Sequence, residues 1–398
     1  MPARVSSSFL LLTLLMFLFA LTPLADLGGI AAQSPTVVSE PDKQKMHATG
    51  TPHSPIAIDG DANFRDAALL EGWPGDGSPE NPYIIDGLDI DLGQLWCISI
   101  SNTRVSFTIS NCNVTGVGDW VGGGILLENV TNGELVSNTC TSNIYGIRLV
   151  DSGSNTVANN TCTNNACGID LGIYGISLDI VIGESNCNTV ANNTCNNNNW
   201  GILLEYSDNS TVVNNTCSNN YDGIGLYESD SNTVANNTCT SNENGISLVG
   251  DSNTVANNIC NNNYYGISLR GDSNTVANSN CTSNSDGIHL ESARSNTVSD
   301  NICNSNIESG INLYYSNTNT VVNNTCTNSV DGISLGGESN TVTNNICSNN
   351  TEWGIFLGGE KNTVANNICT NNVDGISLSG ENNTVANNIC TNNVDGIS

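Results

Sequence analysis

Asn253-Thr-Val-Ala-Asn-Asn-Ile-Cys260 decides the fold. The same stretch returns as Asn362-Thr-Val-Ala-Asn-Asn-Ile-Cys369 and Asn383-Thr-Val-Ala-Asn-Asn-Ile-Cys390, each copy followed six residues after its cysteine by a Gly-Ile-Ser-Leu-like tetrad. The register cysteines are Cys195, Cys217, Cys239, Cys260, Cys281, Cys303, Cys326, Cys347, Cys369 and Cys390, spaced 21 to 23 residues apart. A fixed period of this length marks stacked repeats, each packing only against its neighbours. Cys112, Cys140 and Cys162 extend the column upstream. The long step from Cys162 to Cys195 holds a doubled tetrad, Gly168-Ile-Asp-Leu and Gly175-Ile-Ser-Leu, an insertion of about 11 residues.

Within a repeat the apolar residues fall two apart, as in Ile246 and Leu248 or Ile376 and Leu378. That is the period of a strand with one buried face, and no stretch of the repeat offers a helical face. A leucine-rich horseshoe would need more leucines and a helical return, and a disordered Asn-rich tract would not keep strict Val, Cys, Ile and Leu columns. The expectation is an all-β right-handed parallel β-helix, a solenoid of about 13 rungs of about 22 residues, stacked about 4.8 Å apart into a rod roughly 60 Å long. Val255, Cys260, Ile267 and Leu269 and their equivalents should point inward. The asparagine pairs (Asn257-Asn258, Asn366-Asn367) should sit at a bend, where the amide tolerates left-handed dihedrals and hydrogen-bonds its copy one rung away. The glycines opening the tetrads, such as Gly201, Gly223, Gly245, Gly266 and Gly287, are expected at a corner of positive φ.

The ends are less regular. Arg4 ahead of the apolar run Phe9 to Leu21, with small residues at Ala25 and Ala31-Ala32, has the layout of a secretory signal peptide over residues 1–32, an uncleaved anchor being the alternative. Residues 33–55 read as a polar linker with Pro35, Pro41 and Pro52. Residues 56–90 read as an N-terminal cap, with Asp61 starting a short helix that runs through Phe64, Ala67, Ala68, Leu69 and Leu70. Residues 91–398 carry the repeats and stop inside a rung at Gly396-Ile-Ser398, as a fragment would, or a chain whose end another chain covers. The implied location is outside the cell: secreted, periplasmic or on its surface.

Nine Lys and Arg against 38 Asp and Glu give a net charge of -29, which repels phosphate backbones and excludes nucleic acid as a partner. The acidic excess suits a solvated extracellular surface and leaves calcium as a conceivable ion. Sixteen cysteines suggest a disulfide framework, but side chains stacked in register about 4.8 Å apart lie beyond the 3.5 to 4.5 Å Cβ separation of a bridge. A ladder of buried free thiols is the expectation. Off the column lie Cys97, Cys167 and Cys187, of which the last two flank the insertion and are candidates for one bridge.

Titratable residues are few: His47, His53 and His289 are the histidines, and no Ser/His/Asp spacing, phosphate loop or His-rich metal motif is present, so no catalytic residue is assigned. Two outward lines stand out instead. Before the corner glycine come Tyr145, Trp200, Asp222, Tyr265, Asp286 and Trp353, with Asn244, Asp331, Asp374 and Asp395 among them; on the tetrad strand beside them come Glu205, Tyr227, Arg270, His289, Glu291 and Tyr314. Aromatic faces and carboxylates together suit a shallow glycan-binding groove, since sugar C–H faces stack on rings while hydroxyls take hydrogen bonds. Arg270, His289 and Glu291 form the densest group and read as a salt-bridged patch. Asn-x-Thr acceptors occur at Asn113, Asn129, Asn159, Asn192, Asn209, Asn214, Asn236, Asn280, Asn323, Asn349 and Asn382.

The repeat Asn-Thr-Val-Ala-Asn-Asn-Thr/Ile-Cys-x-Asn-Asn-x-x-Gly-Ile-Ser-Leu resembles the parallel β-helix repeats of the NosD-like family, and Gly75-Asp-Gly-Ser-Pro-Glu-Asn-Pro-Tyr-Ile-Ile85 resembles the entry segment of archaeal surface members. The resemblance covers Ile56 to Ser398 and implies the fold. It also implies periplasmic copper handling, although the inward column holds cysteine where the family usually has isoleucine and no His or Met cluster accompanies it. Polygalacturonases and pectate lyases share the architecture, but a Gly-His-Gly motif and a clustered Asp set are missing here. The expected function is a non-enzymatic surface solenoid that binds glycan or another surface component; a carbohydrate lyase or hydrolase and a copper-binding accessory protein are the alternatives.

Overall fold

The computed structural model of the chain describes residues 50–91, 95–116, 122–172 and 184–398. The signal segment 1–32, residues 33–49 of the linker and the second tetrad of the insertion lie outside the described residues. What is described is a right-handed parallel β-helix whose strands fall on three sheets of 15, 15 and 14 strands. One rung shows the plan: Asn244–Val249 on a sheet of long strands, Thr254–Ala256 on a valine sheet, and Ile259–Asn261 on a cysteine sheet. Each strand pairs in parallel with its copy in the next rung, so that Val255 sits on Val276 and Cys260 on Cys281. Register at a fixed period stacks like on like, and Ile246, Leu248, Val255 and Cys260 are at most 1% exposed. This is the expected core.

The thiol column begins one rung later than the spacing suggests. Cys140 pairs with Val114 rather than with Cys112, whose backbone N–H instead donates to Asn138 Oδ1 at 3.0 Å. Cys112 therefore occupies the place that the buried asparagine takes in later rungs. From Cys140 the column runs unbroken, Cys162 meeting Cys195 directly across the insertion. No described cysteine is bridged; Cys167 is buried and Cys187 exposed, so the pairing expected at the insertion is not formed.

The corner asparagines divide their work. Asn257 adopts φ 57 and Asn236 the same value, whereas Asn258 and Asn237 are buried. Asn258 Oδ1 accepts both the backbone N–H and the side-chain amide of Asn237, at 2.9 and 3.1 Å, and its own amide donates to Val234 O at 2.9 Å. Equivalent ladders through Asn232-Asn253-Asn274 and Asn220-Asn242-Asn263 serve the other two corners. Buried bend backbone that no sheet can satisfy is thus paired by amides.

The tetrad glycines do not have the positive φ expected of them; none of Gly201, Gly223, Gly245, Gly266 or Gly287 does. Crowding selects them instead. A Cβ on Gly223 would lie 2.6 Å from Gly245 O and 3.0 Å from Asn242 Nδ2.

The N-terminal segment contributes strands as well as a helix. Thr51–Pro52 pairs with Leu88–Asp91, Ile56–Asp59 with the strand Trp96–Thr103, and Tyr83–Asp86 with Phe107–Ser110. The helix Asp61–Glu71 is inserted between Ile56–Asp59 and Tyr83–Asp86; Gly60 is its N-cap, and Asp61 accepts from Thr103 Oγ1 (2.6 Å) and the Arg104 N–H (3.0 Å) rather than capping. Phe64 and Ala68 face the core, while Leu69 and Leu70 are over 80% exposed. Among the described residues no helix is long and apolar enough to cross a membrane.

Candidate functional site

The outer face of the long-strand sheet carries every residue singled out as a ligand contact. Its register skips the glycine: Trp200 pairs with Asp222, Ile202 with Ile224, and Glu205 with Tyr227. The skip produces three outward lines, not two. The first runs through Trp96, Tyr145, Trp200, Asp222, Tyr265, Asp286 and Trp353; the second through Arg148, Asp170, Ser247, Ser268, His289 and Phe356; the third through Glu205, Tyr227, Arg270, Glu291 and Tyr314. His289 thus stands one line away from Arg270 and Glu291.

That displacement splits the expected trio. Arg270 is ion-paired with Glu291, its Nε donating at 2.7 Å. His289 instead lies against Asp286, Nδ1 to Oδ2 2.9 Å, and stacks on Tyr265 with ring centroids 4.5 Å apart. A carboxylate only accepts, so Nδ1 carries a proton and donates it to Asp286. Asp286 also takes the Ser309 N–H and the Asn312 amide, both at 3.0 Å. Tyr264 meets Tyr265 edge-on at 4.6 Å, and Tyr314 meets Tyr315 at 4.3 Å with both rings exposed. Burial pushes the Tyr265 hydroxyl up to about 12.

Three carboxylates of the first line are on the outer face but not displayed, whereas Asp374 is half-buried and Asp395 exposed. Asp222 is fully buried beneath Tyr227, whose hydroxyl donates to it at 2.5 Å while the Asn244 amide donates at 2.7 Å. Burial raises its pKa against both bonds. Asp286 and Asp331 are likewise buried, and burial lifts Asp331 to about 6. Tyr227 and His289, from the adjoining outward lines, lie against Asp222 and Asp286. Trp353 stacks on Phe356 at 4.5 Å.

A second charged group lies toward the N-terminus. Arg148 Nε is 3.1 Å from Asp170 Oδ2, and its guanidinium sits 4.3 Å above the Tyr145 ring, which stacks in turn on Trp96 at 6.2 Å. Asp170 is fully buried with Oδ2 against Arg148, and among the described residues its Oδ1 and Glu205 Oε2 have no hydrogen-bond partner. Burial pushes Asp170 and Glu205 each up to about 7, with Arg148 pulling the other way. The sequence reading included Tyr145, Trp200 and Glu205 and missed Arg148 and Asp170. Their signal was there: opposite charges at the same tetrad position one repeat apart, in Gly146-Ile-Arg-Leu and Gly168-Ile-Asp-Leu. Beyond this group an open groove of about 840 Å³ lies between Asn63 and the small residues Ser99 and Ser101, flanked by Asp59, Glu128 and Asp151.

The sequence matches the family described as periplasmic copper-binding protein (NosD) over residues 94–264, 249–360 and 304–398. No curated protein matches it. Solved structures of similar fold include the A-module of the mannuronan C-5 epimerase AlgE6 of Azotobacter vinelandii (14% identity, 84% of this chain and 96% of that one, TM-score 0.54). Tailspike protein 3 of bacteriophage CBA120 (9% identity, 72% and 54%, TM-score 0.53) and PfbA, a surface adhesin of Streptococcus pneumoniae (13%, 65% and 81%, TM-score 0.51), are others. The donors on the described residues do not fit copper: the thiol column from Cys140 to Cys369 is wholly buried, His53 pairs with Glu71 and His289 with Asp286. No three His, Cys, Asp or Glu among them converge on one ion, which bears equally on calcium. With its repeats matched from residue 94 to the last and stacked in a parallel β-helix, the chain belongs to the NosD family.

Proposed function

We propose that the chain is a non-catalytic secreted or cell-surface β-helix protein that binds glycan, or another surface component rich in hydroxyls, along the outer face of its long-strand sheet. The group around Tyr265 carries the reading. A half-buried ring is fixed by stacking on His289, which Asp286 holds in place from beneath, and Arg270 and Glu291 hold hydrogen-bonding groups beside it, so ring and polar atoms are pre-set for a ligand with apolar faces and polar edges. Trp353 with Phe356 further along, and Tyr145 with Trp96 in the other direction, extend the same face by further platforms. The mannuronan epimerase, the tailspike and the surface adhesin of similar fold are in keeping with such a partner.

Binding of the full chain to a glycan array tests this. Tyr265→Ala and Trp353→Ala should each weaken binding at least tenfold, and Thr370→Ala on the cysteine sheet should leave it unchanged. Undiminished binding by both ring variants would remove the face from consideration. One observation favours a carbohydrate-active enzyme as a second reading: Glu205, partly accessible and raised to about 7 by burial near Arg148, has the protonation range a general acid acting near neutral pH requires. Release of reducing or unsaturated ends from a bound polysaccharide, lost in Glu205→Gln, would support it.

A further inference from the structure

We infer that the corner joining the valine and cysteine sheets carries a row of N-linked glycans, at Asn159, Asn192, Asn214 and Asn236. The inference requires that the chain be exported but not that it bind any ligand.

Acceptor triplets alone do not tell an available asparagine from one consumed by the fold. At this corner the structure separates them. In Asn214-Asn215-Thr216 the second asparagine is buried and spent: its Oδ1 accepts the Asn193 N–H at 2.9 Å, and its amide donates to Val190 O at 2.9 Å. The first has φ 57, is exposed, and makes no side-chain hydrogen bond among the described residues. Asn159, Asn192 and Asn236 share that state on consecutive rungs. The acceptor amide is engaged at Asn129, which donates to Asn102, and at the same corner further along the chain at Asn323, which donates to Asp300.

The left-handed corner accounts for the asparagine, but it does not account for the threonine. Downstream rungs keep the left-handed asparagine, as at Asn257, Asn344 and Asn366, yet put Ile259, Ile346 and Ile368 where the threonine stood, 38 to 43% exposed. Either residue serves an outward strand position, so the hydroxyl is not required by the fold. It completes an acceptor on five rungs, those of Asn159, Asn192, Asn214, Asn236 and Asn323, and stands also at Thr139, where left-handed Ser137 takes the place of the asparagine. In a three-sided cross-section this corner lies opposite the long-strand sheet, so sugars attached there leave the ring-bearing face clear.

In the transfer itself, an oligosaccharide carried on a lipid pyrophosphate supplies the anomeric carbon. A bond forms from Asn Nδ2 to that carbon, the carbon–oxygen bond to phosphate breaks, and the proton lost from the amide leaves with the lipid pyrophosphate. Successive acceptors are one rung, about 4.8 Å, apart, narrower than two attached sugar chains side by side. Occupancy on any one molecule should therefore fall on alternate rungs.

The test secretes the full chain from a host with an oligosaccharyltransferase, beside a secreted reporter that carries one Asn-x-Thr acceptor. Glycopeptides are mapped after enzymatic deglycosylation in heavy-oxygen water, and intact mass gives the number of chains per molecule. We expect modification at the four sites and no more than two of them on one molecule. Thr216→Ile, which copies a residue native to this column, should abolish modification at Asn214 with the circular dichroism unchanged. Ile259→Thr should create a new site at Asn257. A modified reporter beside four bare asparagines overturns the inference, as does a bare Asn257 in the Ile259→Thr protein.

Discussion

Gly223 shows how one residue can be read correctly for the wrong reason. The sequence places a glycine at every tetrad, and positive φ is the usual cause; here the cause is a neighbouring carbonyl and a ladder amide within 3.0 Å of where a Cβ would stand. Gly223→Ala should therefore destabilise the protein by about 1–3 kcal/mol through overpacking, measured by denaturant unfolding. Gly225→Ala faces only side chains of Tyr227 and Leu203 at 3.0 Å or more and Asp222 further off, and should cost less. The ladder asparagines make a complementary case. Asn237→Ala leaves buried backbone without its partner and should cost about 1–3 kcal/mol. Paired asparagines are visible in the sequence, but which of the two is buried depends on a bend no sequence period reveals. The thiols follow the same logic: burial and contact between stacked sulfurs keep those such as Cys260 protonated and inert. Cys187, exposed, should label rapidly in the native protein and Cys390 more slowly, with the buried remainder reacting only on unfolding.

At the scale of elements, the helix Asp61–Glu71 closes the N-terminal part of the core with one ring. Phe64 is fully buried, stacked on Tyr83 at 5.0 Å and packed against Phe107 at 5.2 Å. Phe64→Ala should cost about 3–5 kcal/mol, and Leu69→Ala and Leu70→Ala should be close to neutral, as thermal unfolding would show. The sequence announced this helix but not its buried face, because six apolar residues in so short a stretch fit more than one rotation. The strands flanking it were also hidden. Ile56–Asp59 and Tyr83–Asp86 belong to one rung with the helix looped out between them, which breaks the period that identifies every later rung.

For the whole molecule, the buried carboxyl groups on the long-strand face set a pH dependence. Asp170, Glu205 and Asp331 have folded-state pKa values raised to about 7, 7 and 6 by burial. The folded chain thus holds protons that the unfolded chain releases, and the stability this confers is present below the usual carboxylate range and lost as pH rises from about 4 through about 7. Asp61, Asp76 and Asp86, lowered by hydrogen bonds, act in the opposite sense at more acidic pH. The melting temperature should fall between pH 5 and pH 8 (roughly the span between the two carboxyl ranges), and Asp170→Asn should flatten the fall. A flat profile across that interval would show that these groups are ionised in the folded state.

The period of the repeat by itself determined the stacking, the inward Val, Cys, Ile and Leu columns and the free thiols, because a fixed spacing in a parallel coil admits only like on like. Only the tertiary structure decided which outward residues meet. The skipped glycine shifts His289 to Asp286 and Tyr265 and buries Asp222 under Tyr227. Contacts across rungs depend on side-chain reach and on one irregular residue per strand, and neither is recorded in a 22-residue period.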